Sequence, residues 1–211
     1  MIALRLAAPQ CTYISQHKNK MAKPIYIIEH LEPELFEWCF LEYKNISKIV
    51  GKENLWFTNI SDKKDAGKLS SFGKVFSESV RKIKLENACI LDPEAEKILS
   101  PADKFSYFIF GGILGDYPPR KRTKEELTKF LPTVEKRNIG KEQMSTDNAV
   151  FTVKQIAENS KKFEELKFVD NASIEINEFE SVDLPYRYNL VKGKPFMSPE
   201  IANYLKRKKG F

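Results

Sequence analysis

The sequence predicts an α/β protein built on a mainly parallel sheet with helices on both faces. Short apolar runs alternate with amphipathic segments along most of the 211 residues, as successive strand and helix units do. The runs are continuously apolar, which is typical of strands that are buried on both faces of a sheet. A glycine-rich segment directly follows one of these runs, where α/β proteins often bind a cofactor.

The first half of the chain carries four of the predicted strands. They are the short runs Ile25–Ile28, Asn54–Thr58, Ala88–Leu91 and Tyr107–Phe110. Between the first two runs, apolar residues at helical spacing predict a helix that begins near Pro33 and ends at Gly51. The same spacing predicts a helix over Leu69–Ile83, after a polar loop at Ser61–Lys68.

The second half continues the alternation. The Thr-x-x-Glu pattern at residues 123–126 is a capping box and predicts a helix that ends near Leu131. A fifth strand is predicted at Thr133–Lys136, a helix at about Asn148–Lys161, and a last helix from Ser198 onward. Before the last helix lie three short extended segments, Phe168–Asp170, Ser173–Glu178 and Tyr186–Val191.

The net charge of +6 is carried by the two ends of the chain. Residues 1–23 and 205–211 each hold four basic side chains and no acid, whereas the body between them holds 27 basic and 29 acidic side chains. A body with a net charge of −2 lacks the basic face that nucleic-acid binding usually needs. The charge distribution therefore disfavours a nucleic acid as the principal partner.

Composition indicates one globular domain in a reducing compartment, and we expect a cytoplasmic protein. No apolar run approaches the roughly 20 residues that a membrane span needs. The three cysteines fit neither a disulfide framework nor a zinc site, and Cys39 and Cys89 are expected in the core. Residues 1–22 show no sustained periodicity, so we expect a disordered extension there and a single domain over residues 23–211, with a basic C-terminal end.

The segment from residue 108 to residue 120 is the most informative stretch of the chain. Gly111, Gly112 and Gly115 stand within five positions and leave the backbone free to adopt positive φ and to approach a ligand closely. Two consecutive prolines then stiffen the loop. The segment predicts a site for a nucleotide-like cofactor, and a tight turn that merely reverses the chain is the alternative.

Two further loops are predicted to open on the same edge of the sheet. They are Glu29-His30, after the first strand, and Ile139–Asp147, before the long helix. The chain has no phosphate-binding P-loop, no Gly-x-Gly-x-x-Gly after the first strand, no Gly-x-Ser-x-Gly elbow and no cluster of metal ligands. Because these motifs are missing, the sequence predicts a cofactor that is held largely by backbone atoms. Carboxylates are the nearby acid–base groups, and no metal is expected.

Several blocks of sequence occur in an order that resembles a known family. The blocks are Ile27-Ile-Glu-His30, Leu91-Asp-Pro93, Phe110-Gly-Gly-Ile-Leu-Gly-Asp116, Gln143-Met-Ser-Thr-Asp147 and Pro185-Tyr-Arg-Tyr188. Together they resemble the SPOUT-family protein-arginine methyltransferases, which are often catalogued as RNA methyltransferases, and the resemblance covers about residues 24–206. It implies a deep C-terminal trefoil knot, an exception to the usual absence of threaded connections, and S-adenosylmethionine as cofactor.

The resemblance implies that the two glycine-containing loops hold the cofactor, largely through backbone groups. The residues that it assigns to cofactor binding are Phe110, Gly111, Gly112, Leu114, Gly115, Ile139, Gly140, Gln143, Met144 and Thr146.

Glu29 and Asp116 are the acids that the resemblance places at strand ends, and they are the candidate catalytic residues. A guanidinium is protonated at neutral pH, so carboxylates can orient it and accept the proton that it loses. Each acid also has a structural alternative: a surface acid that ends a strand for the first, and an Asx-turn residue for the second. Trp38, Tyr186 and Arg187 are candidate substrate-binding residues, with packing as the alternative.

The expected acceptor is an arginine of a basic protein, and the resemblance implies a small-subunit ribosomal protein. The slightly acidic body would attract such a partner. A SPOUT RNA methyltransferase that acts on ribosomal or transfer RNA is the alternative, and a binding module with a decayed site is a further one. No membrane partner is expected, and the resemblance implies a monomer.

Overall fold

The computed structural model describes residues 23–116, 118, 120–175 and 181–208. The extension predicted over residues 1–22 lies outside the described residues. Within the described part, the strand order of the main sheet is β3-β2-β1-β5-β4-β6, and every neighbouring pair is parallel. The six strands are β1 (Ile25–His30), β2 (Leu55–Thr58), β3 (Lys74–Val75), β4 (Ala88–Leu91), β5 (Tyr107–Gly112) and β6 (Glu135–Arg137). The prediction of a mainly parallel sheet is confirmed.

The C-terminal part of the chain adds a small antiparallel sheet and the last helix. The antiparallel strands are β7 (Phe168–Glu175), β8 (Ser181–Val191) and β9 (Lys194–Pro195). The helices are α1 (Glu37–Val50), α2 (Lys63–Leu69), α3 (Arg122–Glu126), α4 (Thr146–Ala157) and α5 (Pro199–Lys208). The three short extended segments predicted before α5 therefore belong to two longer strands, and residues 176–178 of the second segment lie outside the described residues.

The two faces of the parallel sheet are covered unequally. Because side chains alternate along a strand, Tyr26 and Ile28 of β1 face the larger core, together with apolar residues of α1 and α4. Ile27 faces a smaller cluster on the opposite side, which Val80 and Leu127 help to cover from short turns. Helices were predicted on both faces, but they cover only the face of the larger core, and the other face is covered mainly by short segments.

Helix α1 forms much as its periodicity predicts. It begins at Glu37, four residues after Pro33, and its last turn is closed by Gly51, whose φ of 85° is the left-handed conformation that glycine favours. One side of the helix buries Cys39 and Tyr43 in the larger core. Cys39 and Cys89 are both buried and free, as expected of small core residues.

The helix predicted over residues 69–83 is wrong, and so is the polar loop predicted before it. Helix α2 occupies residues 63–69 and is capped by Asp62, and the chain then runs into β3. At Gly73 a Cβ atom would lie 2.7 Å from the carbonyl oxygen of Leu55, so the chain must pass close to β2 there. The apolar spacing of this stretch serves packing across β2 and β3 rather than one face of a helix.

The capping box predicted at residues 123–126 is also wrong. Helix α3 begins at Arg122, so Thr123 lies inside the helix, and the Glu126 carboxylate pairs with Arg122. The helix ends at Glu126 and a 3-10 turn follows. Elsewhere the differences are shifts in length: β5 extends two residues further than predicted, and α4 begins at Thr146 and ends at Ala157.

Candidate active site

A cavity of about 310 Å³ opens at the carboxyl edge of the parallel sheet. Its walls come from the ends of β4 and β5, the segment that follows β6, and the first turns of α3 and α4. Parallel strands end on the same edge, so segments that are distant in sequence meet there. The volume lies at the lower end of the range that is typical of small-molecule sites.

Ten of the predicted site residues line this first cavity. They are Phe110, Gly111, Leu114, Gly115, Asp116, Ile139, Gly140, Gln143, Met144 and Thr146. Leu91, Ile113 and Ala149 add apolar side chains to the wall, and most of the remaining lining residues are charged: Asp92, Glu94, Arg120, Lys121, Arg122, Lys124, Lys141 and Glu142. The structure thus brings the two glycine-containing loops together around one space.

The glycines of the first loop serve close packing rather than unusual dihedral angles. Among the described glycines, positive φ occurs at Gly51, Gly140 and Gly193, so the positive φ expected in the 111–115 segment is not adopted. A Cβ atom at Gly115 would lie 2.5 Å from both Gln143 Nε2 and a ring carbon of Tyr186. Gly115 therefore allows the second loop and β8 to approach the first loop closely.

Gly112 lies in β5 and does not line the first cavity. A Cβ atom at this position would overlap the hydroxyl of Tyr43 and lie 2.9 Å from Cγ2 of Ile28. The predicted cofactor contact of Gly112 is not supported by this placement. The residue is needed because α1 packs directly on the strand there.

The first loop is held in place by Glu32, a residue that the sequence analysis did not single out. Its Oε1 accepts hydrogen bonds of 2.8 Å from the backbone N–H of Leu114 and from Nη1 of Arg122. Arg122 also pairs with Glu126, at 2.7 Å. The acid therefore ties the chain after β5 to the start of α3, and both segments line the cavity.

The second loop is held from two sides. The side chain of Gln143 donates to the backbone carbonyl oxygen of Asp116 at 3.4 Å, and the backbone carbonyl oxygen of Gln143 accepts from the backbone N–H of Arg187 at 2.8 Å. Behind the loop, the buried carboxylate of Asp147 accepts hydrogen bonds from Asn45 and Ser145, at 2.8 and 2.7 Å. This network fixes the first turn of α4 against α1.

Glu29 is fully buried at the end of β1 and does not line the first cavity. Its carboxylate accepts hydrogen bonds from the hydroxyls of Thr58 and Ser79, both at 2.5 Å, and from the backbone N–H of Val80 at 2.9 Å. These three donors bind β2 and the turn before β4 to β1. The catalytic role predicted for Glu29 is not supported by this placement.

Asp116 lies on the wall of the first cavity, as predicted, and is partly exposed. Arg120 pairs with its carboxylate at 2.8 Å, and this hydrogen bond holds the pKa of Asp116 below its usual range. A carboxylate of low pKa stays ionised and is a weak proton acceptor. Asp116 is one of four acidic side chains on this wall, which also carries five basic ones.

A second cavity, of about 450 Å³, adjoins the first. The two share the wall residues Ile113, Leu114, Gly115 and Met144. The second cavity is also lined by the aromatic residues Phe36, Trp38, Tyr186 and Tyr204, by Glu42 and Ser145, and by the exposed Glu37 and Lys208. Two of the three predicted substrate-binding residues, Trp38 and Tyr186, therefore lie here and not in the first cavity.

Glu42 is the main residue of this region that the sequence analysis missed. It follows Trp38 by one turn of α1, and the indole Nε1 donates a 2.8 Å hydrogen bond to its Oε1. Burial, followed by the nearby carboxylate of Asp147, raises the pKa of Glu42 to about 8, against hydrogen bonds from Trp38 and Thr146 that lower it. In sequence it is one acid on an amphipathic helix, and no motif marks it.

Arg187 lies beside the first cavity without lining it. Its guanidinium pairs with Asp170 at 2.7 Å, which joins β8 to β7, and its backbone N–H holds the second loop. Its predicted role in substrate binding is not supported by this placement.

The described residues contain no group of three or more His, Cys, Asp or Glu side chains that could hold a metal ion. None of the helices in the described ranges is both long enough and apolar enough to cross a membrane.

Solved structures resemble the fold closely. The crystal structure of yeast arginine methyltransferase SFM1 complexed with SAM matches with a TM-score of 0.81 and 36% identity, over 90% of this chain and 93% of that one. The SFM1 complex with SAH matches with a TM-score of 0.79 and 36% identity, over 86% of this chain and 94% of that one. A Trm10 structure from Thermococcus kodakaraensis shares the fold alone, with a TM-score of 0.53 and 18% identity, over 68% of this chain and 96% of that one. The two matches to SFM1 define a methyltransferase of the SPOUT class.

The particular family follows from the sequence comparisons. The family model "Protein arginine N-methyltransferase SFM1-like" matches residues 25–210. The protein arginine N-methyltransferase SFM1 of Saccharomyces cerevisiae is 38% identical over 200 residues, which cover 86% of this chain and 94% of that protein. The chain therefore belongs to the SFM1-like protein arginine N-methyltransferase family.

Proposed function

We propose that the protein transfers a methyl group from S-adenosylmethionine to an arginine side chain of another protein. The observation that carries the proposal is the first cavity, in which two glycine-containing loops meet beside an ionised carboxylate. The yeast relative is named as an arginine methyltransferase and has been crystallised with SAM and with SAH. The membership of this chain in the same family supports an equivalent activity.

The first cavity has the properties that S-adenosylmethionine requires. Gly111 and Gly140 leave backbone exposed on its wall without a side chain in between, and Leu91, Phe110 and Ile139 offer apolar surface for an adenine ring. When bound, S-adenosylmethionine supplies an electrophilic methyl group on a sulfonium. The chain's own residues would hold it through the backbone of the 110–115 and 139–144 segments and exclude water with their apolar side chains.

Asp116 is the predicted catalytic acid that remains a candidate after its placement. An ionised carboxylate on the wall of the cofactor cavity can attract the guanidinium of a substrate toward the site. Because its pKa is lowered by Arg120, it is better suited to attraction than to accepting a proton. Glu29, the other predicted acid, would contribute by holding the ends of β1 and β2 together.

The acceptor that we propose is an arginine of a basic protein, and a small-subunit ribosomal protein fits this description. The acidic body of the chain supports such a partner, because opposite charges steer association. We retain as proposals a cytoplasmic location and a monomeric enzyme.

We also propose that the C-terminal half of the chain is knotted. The contacts of Gln143 support this, because its segment lies between the 113–116 loop on one side and β8 on the other. A segment that threads an earlier loop is expected to contact it, as Gln143 contacts the 113–116 loop. An experimental structure whose chain straightens without a knot when both ends are pulled would contradict the proposal.

The function is tested by methylating a cell extract with labelled S-adenosylmethionine and the purified protein. Label on protein that is removed by protease, survives ribonuclease and is recovered as methylarginine after hydrolysis is the expected result. Label that disappears with ribonuclease and survives protease would identify RNA as the acceptor instead. A protein heated to inactivation before mixing is the control for methylation by enzymes of the extract.

A further inference from the structure

The second cavity holds a buried carboxyl group within aromatic walls, and it adjoins the first cavity. We propose that it receives the side chain of the acceptor arginine, and that Glu42 is the carboxylate that contacts the guanidinium and accepts its proton. The proposal rests on the proposed function and assigns the acceptor site within it. Its basis is the arrangement of Glu42, Trp38 and Tyr186 around the cavity.

The walls of the second cavity are fixed before any ligand binds. Trp38 packs edge-on against Tyr204 with ring centroids 5.9 Å apart, and its Nε1 holds Oε1 of Glu42. The hydroxyl of Tyr186 donates a 3.1 Å hydrogen bond to the carbonyl oxygen of Gly115. Side chains from α1, β8 and α5 are thus held around one space, which lowers the cost of ordering a bound side chain.

The chemistry of these walls favours a guanidinium over other groups. Aromatic faces attract cations, and arginine stacks on them more readily than lysine because its head group is planar and weakly hydrated. A buried carboxylate is costly to ionise without a partner, and the planar fork of arginine can pair with it in two places. Glu42 is 3% exposed, so little water remains to compete with such a partner.

The position of the cavity also suits the reaction. Ile113, Leu114, Gly115 and Met144 line both cavities, so a head group in the second lies next to a ligand in the first. In the transfer, one guanidinium nitrogen bonds to the methyl group, the bond from methyl to sulfur breaks, and the electron pair of that bond stays on sulfur. The same nitrogen loses one proton to the Glu42 carboxylate, which returns it to solvent after the product leaves.

The groups that surround Glu42 come from three elements. Trp38 lies on the same helix, Thr146 and Asp147 belong to α4, and Tyr186 is in β8. Asp147 is the buried charged neighbour, and together with burial it keeps the free carboxyl group protonated at neutral pH, while the exposed Glu37 and Lys208 also line the cavity. An entering guanidinium would favour ionisation, and the reactive base is thereby formed only when the acceptor is present.

The test compares Glu42→Gln with Glu86→Gln, which removes an equal charge at an exposed residue that lines neither cavity. Glu42→Gln is expected to lower labelled methyl transfer to extract protein by about 100-fold or more. This is the lower end of the rate loss that follows when a general base is removed. Its affinity for S-adenosylmethionine, measured by calorimetry, should stay within a factor of about two of the wild type, since Glu42 does not line the first cavity. The Glu86→Gln protein should match the wild type in both assays.

Binding of the acceptor group is measured separately, by saturation-transfer NMR with N-acetyl-arginine amide. The wild type should transfer saturation to this probe more strongly than to the lysine analogue, and Glu42→Gln should lose the preference. A Glu42→Gln protein that methylates within about threefold of the wild type, or that keeps the preference for arginine, overturns the inference while the proposed function stands. If the wild type transfers no methyl to protein, the proposed function fails, and the NMR preference alone then decides whether the cavity binds arginine.

A pH profile keeps the inference testable if Glu42→Gln does not fold. The kcat/KM of the wild type for extract protein should rise with pH through about 8, because it reports the free enzyme's essential base. A profile that is flat over that interval would contradict a proton-accepting Glu42.

Discussion

The indole Nε1 of Trp38 donates a 2.8 Å hydrogen bond to Oε1 of Glu42, one turn further along α1. Residues four apart on a helix lie on the same face, so the pair points to one side of α1, beside the stripe that buries Tyr43 and Ile46. The bond fixes the carboxyl group and the ring against each other. An acid with a raised pKa is thereby held at the wall of the second cavity.

The raised pKa of Glu42 predicts that the free energy of unfolding falls as the pH rises. Between its ordinary pKa of 4.5 and its folded value of about 8, the folded protein keeps a proton that the unfolded chain releases. The loss is at most about 1.4 kcal/mol per pH unit, and Glu42→Gln removes it. The melting temperature of the wild type should therefore fall more than that of Glu42→Gln between about pH 5 and about pH 8.5. Parallel curves for the two proteins would show that Glu42 ionises normally.

Gly112→Val is expected to lower the stability of the fold, whereas Gly115→Val is expected to lower the affinity for the cofactor. The first forces a side chain into Tyr43 and Ile28, so we expect a loss of about 1–3 kcal/mol or more in stability. The second pushes Gln143 and Tyr186 away from the first loop at the cavity wall, so we expect a larger loss of cofactor affinity than of stability. Thermal melting and calorimetry with S-adenosylmethionine separate the two effects. If both variants are equally stable and lose the same affinity for S-adenosylmethionine, Gly112 would belong to the cofactor site.

Glu29→Gln is expected to destabilise the fold. The amide offers one acceptor oxygen where the carboxylate accepts from Thr58, Ser79 and Val80, and an unmade hydrogen bond to a buried charged group costs about 1.5–3 kcal/mol. A melting temperature lowered relative to Glu86→Gln would support the structural role. A variant that melts like the wild type and has lost methyl transfer would instead support the catalytic role predicted from sequence.

Asp116→Asn is expected to reduce methyl transfer by about 10-fold or more, because it removes a negative charge that attracts the guanidinium of the acceptor. The ion pair with Arg120 is largely exposed, so its loss should change the melting temperature little. The effect should lie in kcat/KM for the protein acceptor and weaken as salt is added. An equal fall in affinity for S-adenosylmethionine would assign the residue to cofactor binding.

The sequence by itself determined the parallel sheet and the segments that form the first cavity. The apolar runs at residues 25–28, 54–58, 88–91 and 107–110 all became strands of one sheet. Because parallel strands end on a common edge, the loops after two of them could be expected to meet, and residues 110–116 and 139–146 do meet. Gly51 likewise ends α1, as its position after a helical pattern predicts.

Tertiary structure decided which residues of those segments face the cavity and which face the core. Spacing shows that residues 72 and 76 are apolar but not that the chain passes beside β2 at Gly73, so a helix was predicted where a strand lies. Glu29 and Glu42 are both acids beside apolar residues in sequence, yet one is enclosed by three donors of the sheet and the other lines a cavity. The pKa of a carboxyl group depends on the water, donors and charges around it, and for Glu42 these come from α1, α4 and β8, which only the folded chain brings together.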